Sequence, residues 1–175
     1  MQIAYIMAFL VTLFVVTLTQ GRDTAEMVDN DAGAAAQHMA MWHAAATRLC
    51  AETACAGGVV NAVARLPPQV AAGSAFASGN FISRYDNVNN RIVTYMRSPG
   101  AGRGTATYGR VAAGLQDLTK RLGETSHTGT WNLPTRRVSF GNSPNGTAPK
   151  DMVLPSPFMG ATIPDGSPVI VGPAR

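Results

Sequence analysis

The chain has 175 residues, only 14% of them charged, with 18 Gly, 11 Pro and a net charge of +4. That composition excludes a bundle of long charged helices and leaves room for one loop-rich domain of modest size. The charge is uneven: residues 1–80 carry −2 and residues 81–175 carry +6, the arginines of the second half being scattered and not interleaved with aromatics. A basic distal half suits an acidic or phosphate-rich surface, but the scatter argues against nucleic-acid binding.

Residues 1–21 (MQIAYIMAFLVTLFVVTLTQG) contain no Lys, Arg, Asp, Glu or His. About 20 helical residues cross the hydrocarbon core of a bilayer, so this segment is expected to be a single-pass anchor. A cleavable signal peptide would carry a basic start and a small-residue cleavage site, and the segment has neither. A pilin stem would carry a basic leader and a Glu at position 5, where Tyr5 stands. Charges flanking the span decide its orientation weakly. The cysteines discussed below favour a cytoplasmic N-terminus and a periplasmic domain at a bacterial inner membrane.

Asp23-Thr-Ala-Glu26 has the spacing of a capping box, and an Ala-rich helix is predicted over 22–56. Ala35, Met39, Trp42, Ala46 and Leu49 recur every three or four residues as one apolar stripe. His38, His43 and Arg48 fall largely off it. Cys50 and Cys55 follow in RLCAETAC. Within one continuous helix their Cα atoms would be too far apart to bridge, so a disulfide requires the helix to end between them, and Ala56-Gly57-Gly58, with its helix-terminating glycines, follows at once. A small disulfide-closed turn, which implies an oxidising compartment, is the expectation; two buried thiols are the alternative. Four zinc ligands are not at hand.

The domain is placed at 57–175. Residues 59–66 read as a short helix or strand ended by Pro67-Pro68, 80–85 as a strand, and 87–90 as a turn. Arg91-Ile-Val-Thr-Tyr-Met-Arg97 is a strand signal. A Gly-rich loop over 98–104 leads into a helix with Tyr108, Val111, Leu115, Leu118 and Leu122 on one face, closed by Lys120, Arg121 and Gly123. Strands are predicted over 128–133 and 136–140, a loop over 141–160, a turn at Ile163-Pro-Asp-Gly166 and a closing strand at Pro168-Val-Ile-Val171. The fold class is α+β: a long N-terminal helix, formed by the anchor and its Ala-rich extension, followed by a small mixed domain.

Little in the chain points to catalysis. The loop Ser98-Pro-Gly-Ala-Gly-Arg-Gly-Thr105 sits between strand and helix, where phosphate-cradling loops occur, but it lacks the third glycine of the dinucleotide fingerprint and the Gly-Lys-Ser/Thr of a Walker loop. His38 and His43 are five apart, not four, and no carboxylate pair joins His127. No catalytic, cofactor or metal residues are assigned, and the chain is read as a non-enzyme. Asn145-Gly-Thr has the form of a glycosylation acceptor and is read as plain loop. Met27, Met39, Met41 and Trp42 can form either an adaptable contact surface or core. Met39, Trp42 and the loop residue Arg103 are the candidate partner contacts.

Three features carry a resemblance: the N-terminal apolar segment, the stretch AAAQHMAMWHAAA, and the terminus LPSPFMGATIPDGSPVIVG. Together they resemble the PilM proteins of plasmid-type thin pili, a type IVb class, with the specificity concentrated in IPDGSPVIVG. The cysteine pair and the loop over 141–160 depart from that layout. The resemblance implies a small inner-membrane component of a pilus basal body with no catalytic motif. The expected function is therefore non-enzymatic docking of other pilus or secretion apparatus proteins, with self-association compatible with that role. The alternative is a minor pilin or pseudopilin that enters the fibre. A membrane-tethered enzyme would need a convergent polar pocket, for example one joining His127 to a carboxylate.

Overall fold

A computed structural model describes residues 31–53, 55–66, 80–97, 106–122, 126–140, 152–154 and 163–174. Two helices and a seven-stranded antiparallel sheet make up an α+β architecture. The first helix, α1, covers 31–53. Then come β1 (Gly58–Val60), a 3₁₀ turn (Ala62–Arg65), β2 (Phe81–Asp86), β3 (Arg91–Met96) and α2 (Ala106–Leu122). β4 (His127–Asn132), β5 (Arg137–Phe140), β6 (Met152–Val153) and β7 (Pro168–Pro173) complete the sheet. Among the described residues no helix is long and apolar enough to cross a membrane; the expected anchor over 1–21 lies outside them.

The strand order is β1-β2-β3-β7-β4-β5-β6, antiparallel at every step. The closing strand predicted at 168–171 is thus the central one, inserted between two hairpins. β7 is Val/Ile-rich and buried along its length except at Pro173, as a strand covered on both faces should be.

Alternation assigns the two faces. Phe81, Ser83 and Tyr85 share a face with Ile92, Thr94 and Met96, and with Ile170 of β7. That face receives both helices through Ala36, Met39, Trp42, Ala46, Tyr108, Val111 and Leu115. The opposite face gathers Val93, Tyr95, Trp131, Val138, Val169 and Val171 with Leu154 and Ile163. The sheet is strongly curled around this second core. Arg91 Nη1 of β3 donates to Met152 Sδ of β6 at 3.1 Å, although β7, β4 and β5 lie between those strands in the sheet.

The helices meet each other at small residues. A Cβ on Gly114 would stand 3.2 Å from the Ala36 Cβ and 4.0 Å from the Gly33 Cα, so α1 and α2 cross with almost no side chain between them. The α1 stripe falls where the Ala/Met/Trp periodicity puts it, with Ala32, Ala36, Met39, Trp42, Ala46 and Cys50 all buried and Ala35 and Leu49 partly so. His43 departs from that pattern: it is 4% exposed, inside the helix–sheet layer. The segment over 59–66 resolves into both alternatives, a strand and then a 3₁₀ turn. β6 falls within the stretch predicted as loop; two residues are too few to show a period.

Both hairpins turn in the same way. Asp86 Oδ1 accepts from the Val88 and Asn89 amides at 3.0 and 3.4 Å, and Asn90 follows at φ 51°. Asn132 Oδ1 accepts from the Thr135 amide at 2.9 Å, and Arg136 follows at φ 54°. An Asx side chain that caps the turn, then a left-handed residue, is a mechanism legible in the sequences DNVNNR and NLPTRR.

Candidate functional site

Two polar constellations stand out. The first is internal. His43 Nδ1 lies 2.8 Å from Thr94 Oγ1, which lies 2.7 Å from Ser83 Oγ. The chain of contacts runs from α1 through β3 to β2. Thr94 and Ser83 are fully buried and Gly172 leaves the space for the imidazole: a Cβ there would meet His43 Nε2 and Ser126 Oγ, each at 2.7 Å. Burial lowers the His43 pKa to about 4, so the ring is neutral at physiological pH, and desolvation of the charged form is the cause. A Ser, a Thr and a His in series have the composition of a hydrolytic site, but no substrate atom reaches groups this deeply enclosed. The arrangement satisfies polar groups in the core and locks the helix to the sheet in one register.

The second constellation is at the surface, where α1 ends. Cys50 and Cys55 are bonded, with a Cα–Cα distance of 4.8 Å. The helix terminates between them, Cys50 within it and Cys55 beyond it, which is what lets residues five apart approach so closely. The disulfide lines an open groove of about 630 Å³ whose other walls are Ala51, Glu52, Tyr85, Asn90 and Ala174. Glu52 is ion-paired with Arg65 of the 3₁₀ turn, and the Tyr85 hydroxyl donates to Asn90 Oδ1 at 3.1 Å. Beside the groove β1 forms one edge of the sheet, with Val59 66% exposed, and the β2–β3 tip presents Val88 at 75%. Backbone groups of an edge strand and exposed apolar side chains next to them are a surface suited to another polypeptide.

The candidate contacts read from the sequence fall elsewhere. Met39 and Trp42 are core residues at 0% and 6% exposure, packed beneath the outer surface of α1. Met41 is the methionine that α1 turns outward, at 38%. Arg103 lies outside the described residues, as do Met27 and Asn145. His127 is exposed and sits edge-on to Phe140, ring centroids 5.8 Å apart. Among the described residues no group of three or more His, Cys, Asp or Glu is placed to hold a metal ion. Trp131 Nε1, inside the curl of the sheet, is buried without a hydrogen-bond partner among the described residues.

The sequence pattern missed His43 because its surroundings come from distant strands, Thr94 of β3 and Gly172 of β7; the one signal was Gly172, a glycine directly after the Val-Ile-Val run of β7. Compared with known proteins, the chain matches no family, no curated protein and no solved structure.

Proposed function

We propose that this chain is a membrane-anchored, non-enzymatic component of a type IVb pilus or related secretion assembly, whose disulfide-bonded domain docks other apparatus proteins. The Cys50–Cys55 bond carries the reading. Disulfides persist in oxidising compartments, and a charge-free apolar segment over 1–21 upstream of such a domain suits an anchor with the domain on the periplasmic side. The resemblance to PilM adds the pilus context. Its specific stretch, IPDGSPVIVG, comprises the turn at Asp165-Gly166 and most of β7. The exposed edge at β1 and the tip at Val88 supply a docking surface, and the groove between them and α1 gives it relief.

Cells are sheared to separate fibres from membranes, both fractions are probed for the chain, and the mass of its N-terminus is measured. An intact N-terminus confined to the membrane fraction supports the anchored docking component. A trimmed N-terminus in the sheared fibre makes the chain a minor pilin and sinks the proposal. Crosslinking from Val59 and Val88 in intact membranes is expected to capture apparatus proteins, whereas crosslinks from Arg48 on the outer surface of α1 serve as the comparison.

A further inference from the structure

The disulfide, the groove and the edge strand are neighbours, and their packing is uneven. β1 is three residues long and pairs with β2 on one side alone. From Val60 onward the chain is anchored, Val60, Ala62 and Leu66 all being buried. Before Val60 it is not: Gly57 is exposed, Gly58 is at φ 124°, and Val59 points to solvent. Cys55, bonded to Cys50 and packed against the core, ties this half of the edge to α1. The two cysteines are unequally exposed as well: both line the groove, but Cys50 is 7% exposed and Cys55 is half-buried.

We propose that Cys50–Cys55 is a reducible latch on this sheet edge, opened by a dithiol that reaches Cys55 through the groove. One thiolate of the dithiol attacks Cys55 Sγ; the S–S bond breaks, and Cys50 leaves as a thiolate and takes up a proton. The second thiol, as its thiolate, attacks the mixed disulfide and releases Cys55, which is protonated in turn. The protein gains two thiols, and the dithiol leaves as a disulfide, oxidised by two electrons. A dithiol is required because of where Cys50 sits. Held in the last turn of α1 beside Cys55, the Cys50 sulfur returns to the mixed disulfide intramolecularly, so a monothiol attached to Cys55 is expelled again before a second one resolves it, whereas the second thiol of a dithiol is equally tethered. Opening frees the segment entering β1 and uncovers the outer backbone of β2 around Arg84 and Tyr85, the paired positions of Val59 and Gly58.

The full oxidised chain is treated under native conditions with dithiothreitol, or with glutathione at equal thiol concentration. Free thiols are counted by alkylation and mass, and amide exchange is followed in parallel. Dithiothreitol is expected to reduce the bond at a rate unaffected by low denaturant, with glutathione slower by about tenfold or more. After reduction, protection across the pairing of 58–60 with 83–85 is expected to fall by about tenfold or more, while that of 92–95 and 169–171 holds. Reduction that accelerates with denaturant in step with global unfolding overturns the latch, as does unchanged protection at the edge once both thiols are free. The double variant Cys50→Ser/Cys55→Ser should show the open exchange pattern without reductant; should it fail to fold, the reduced native chain carries the same test. Ala51→Trp, on the exposed groove wall, should slow reduction by about fivefold or more, since exchange rates follow access to the attacked sulfur; an unchanged rate would mean that the dithiol does not enter by the groove.

Discussion

At the scale of single residues, two backbone positions set tolerances that composition alone does not reveal. Gly172 is surrounded: an added Cβ would fall 2.7 Å from both His43 Nε2 and Ser126 Oγ. His43 cannot retreat freely, since it is tied to Thr94 in a packed layer. Gly172→Ala is therefore expected to destabilise the domain by about 1–3 kcal/mol, the usual cost of overpacking, measured by chemical denaturation; a neutral result would place the imidazole elsewhere. Arg136 gives the opposite case. It sits at φ 54° on an exposed turn, where a side chain bearing Cβ costs about 1–2 kcal/mol and glycine does not. Glycine also gives the unfolded chain more freedom to lose, so the net gain from Arg136→Gly should be about 0.5–1 kcal/mol. Asn90→Gly should yield less, because Asn tolerates the left-handed region and Asn90 also accepts from the Tyr85 hydroxyl.

At the scale of elements, α2 offers an internal comparison between two glycines. Gly109 faces open space, whereas Gly114 lies where α1 crosses. Gly109→Ala should raise stability by about 0.5–1 kcal/mol through helix propensity, and Gly114→Leu should lower it by several times that amount by forcing the helices apart. If thermal melts rank the two variants the other way, the crossing is misplaced. The same helix separates Leu115, fully buried, from Leu118, half-buried. Leu115→Asp puts an unpaired charge in the core and should abolish the cooperative melt, while Leu118→Asp should weaken it without abolishing it. The helices, both hairpins and the disulfide turn were legible in the sequence because their signals are local: a 3.6-residue stripe, strand runs separated by the Asn-rich 87–90 or by Pro134, and glycines after a helical cysteine. The place of β7 was not, because strand order is decided by pairing across the chain and no local residue encodes it. The groove was hidden for the same reason: its walls come from α1, the β2–β3 hairpin and the residue after β7. Met39 and Trp42 show the limit of periodicity, which places residues on one face and is silent on whether that face meets its own sheet or a partner.

At the scale of the whole molecule, the helix layer and the sheet are joined by mostly apolar contacts and, among the described residues, by the buried polar link His43–Thr94–Ser83. That link makes the stability of Ala32–Arg175, one compact unit, depend on pH. Unfolded, the imidazole has its ordinary pKa of about 6.5; folded, burial holds it at about 4. Between these values the unfolded chain binds more protons than the folded one, so stability rises with pH across the window and falls as the solution is acidified through it. The contribution is fully present above pH 6.5 and is withdrawn progressively towards pH 4. Between pH 7 and pH 5 the expected loss is about 2 kcal/mol, which is large for a small domain. His43→Asn keeps a hydrogen-bonding group towards Thr94 and removes the titration, so its stability should be lower at pH 7 but nearly flat down to pH 5. Urea denaturation of both chains at pH 7, 6 and 5 makes the comparison. A slope that survives in His43→Asn would mean that another group carries it and that the imidazole is not the buried base between helix and sheet. Convergence of the two chains at pH 5 would mean that the link stabilises the unit only while His43 remains neutral.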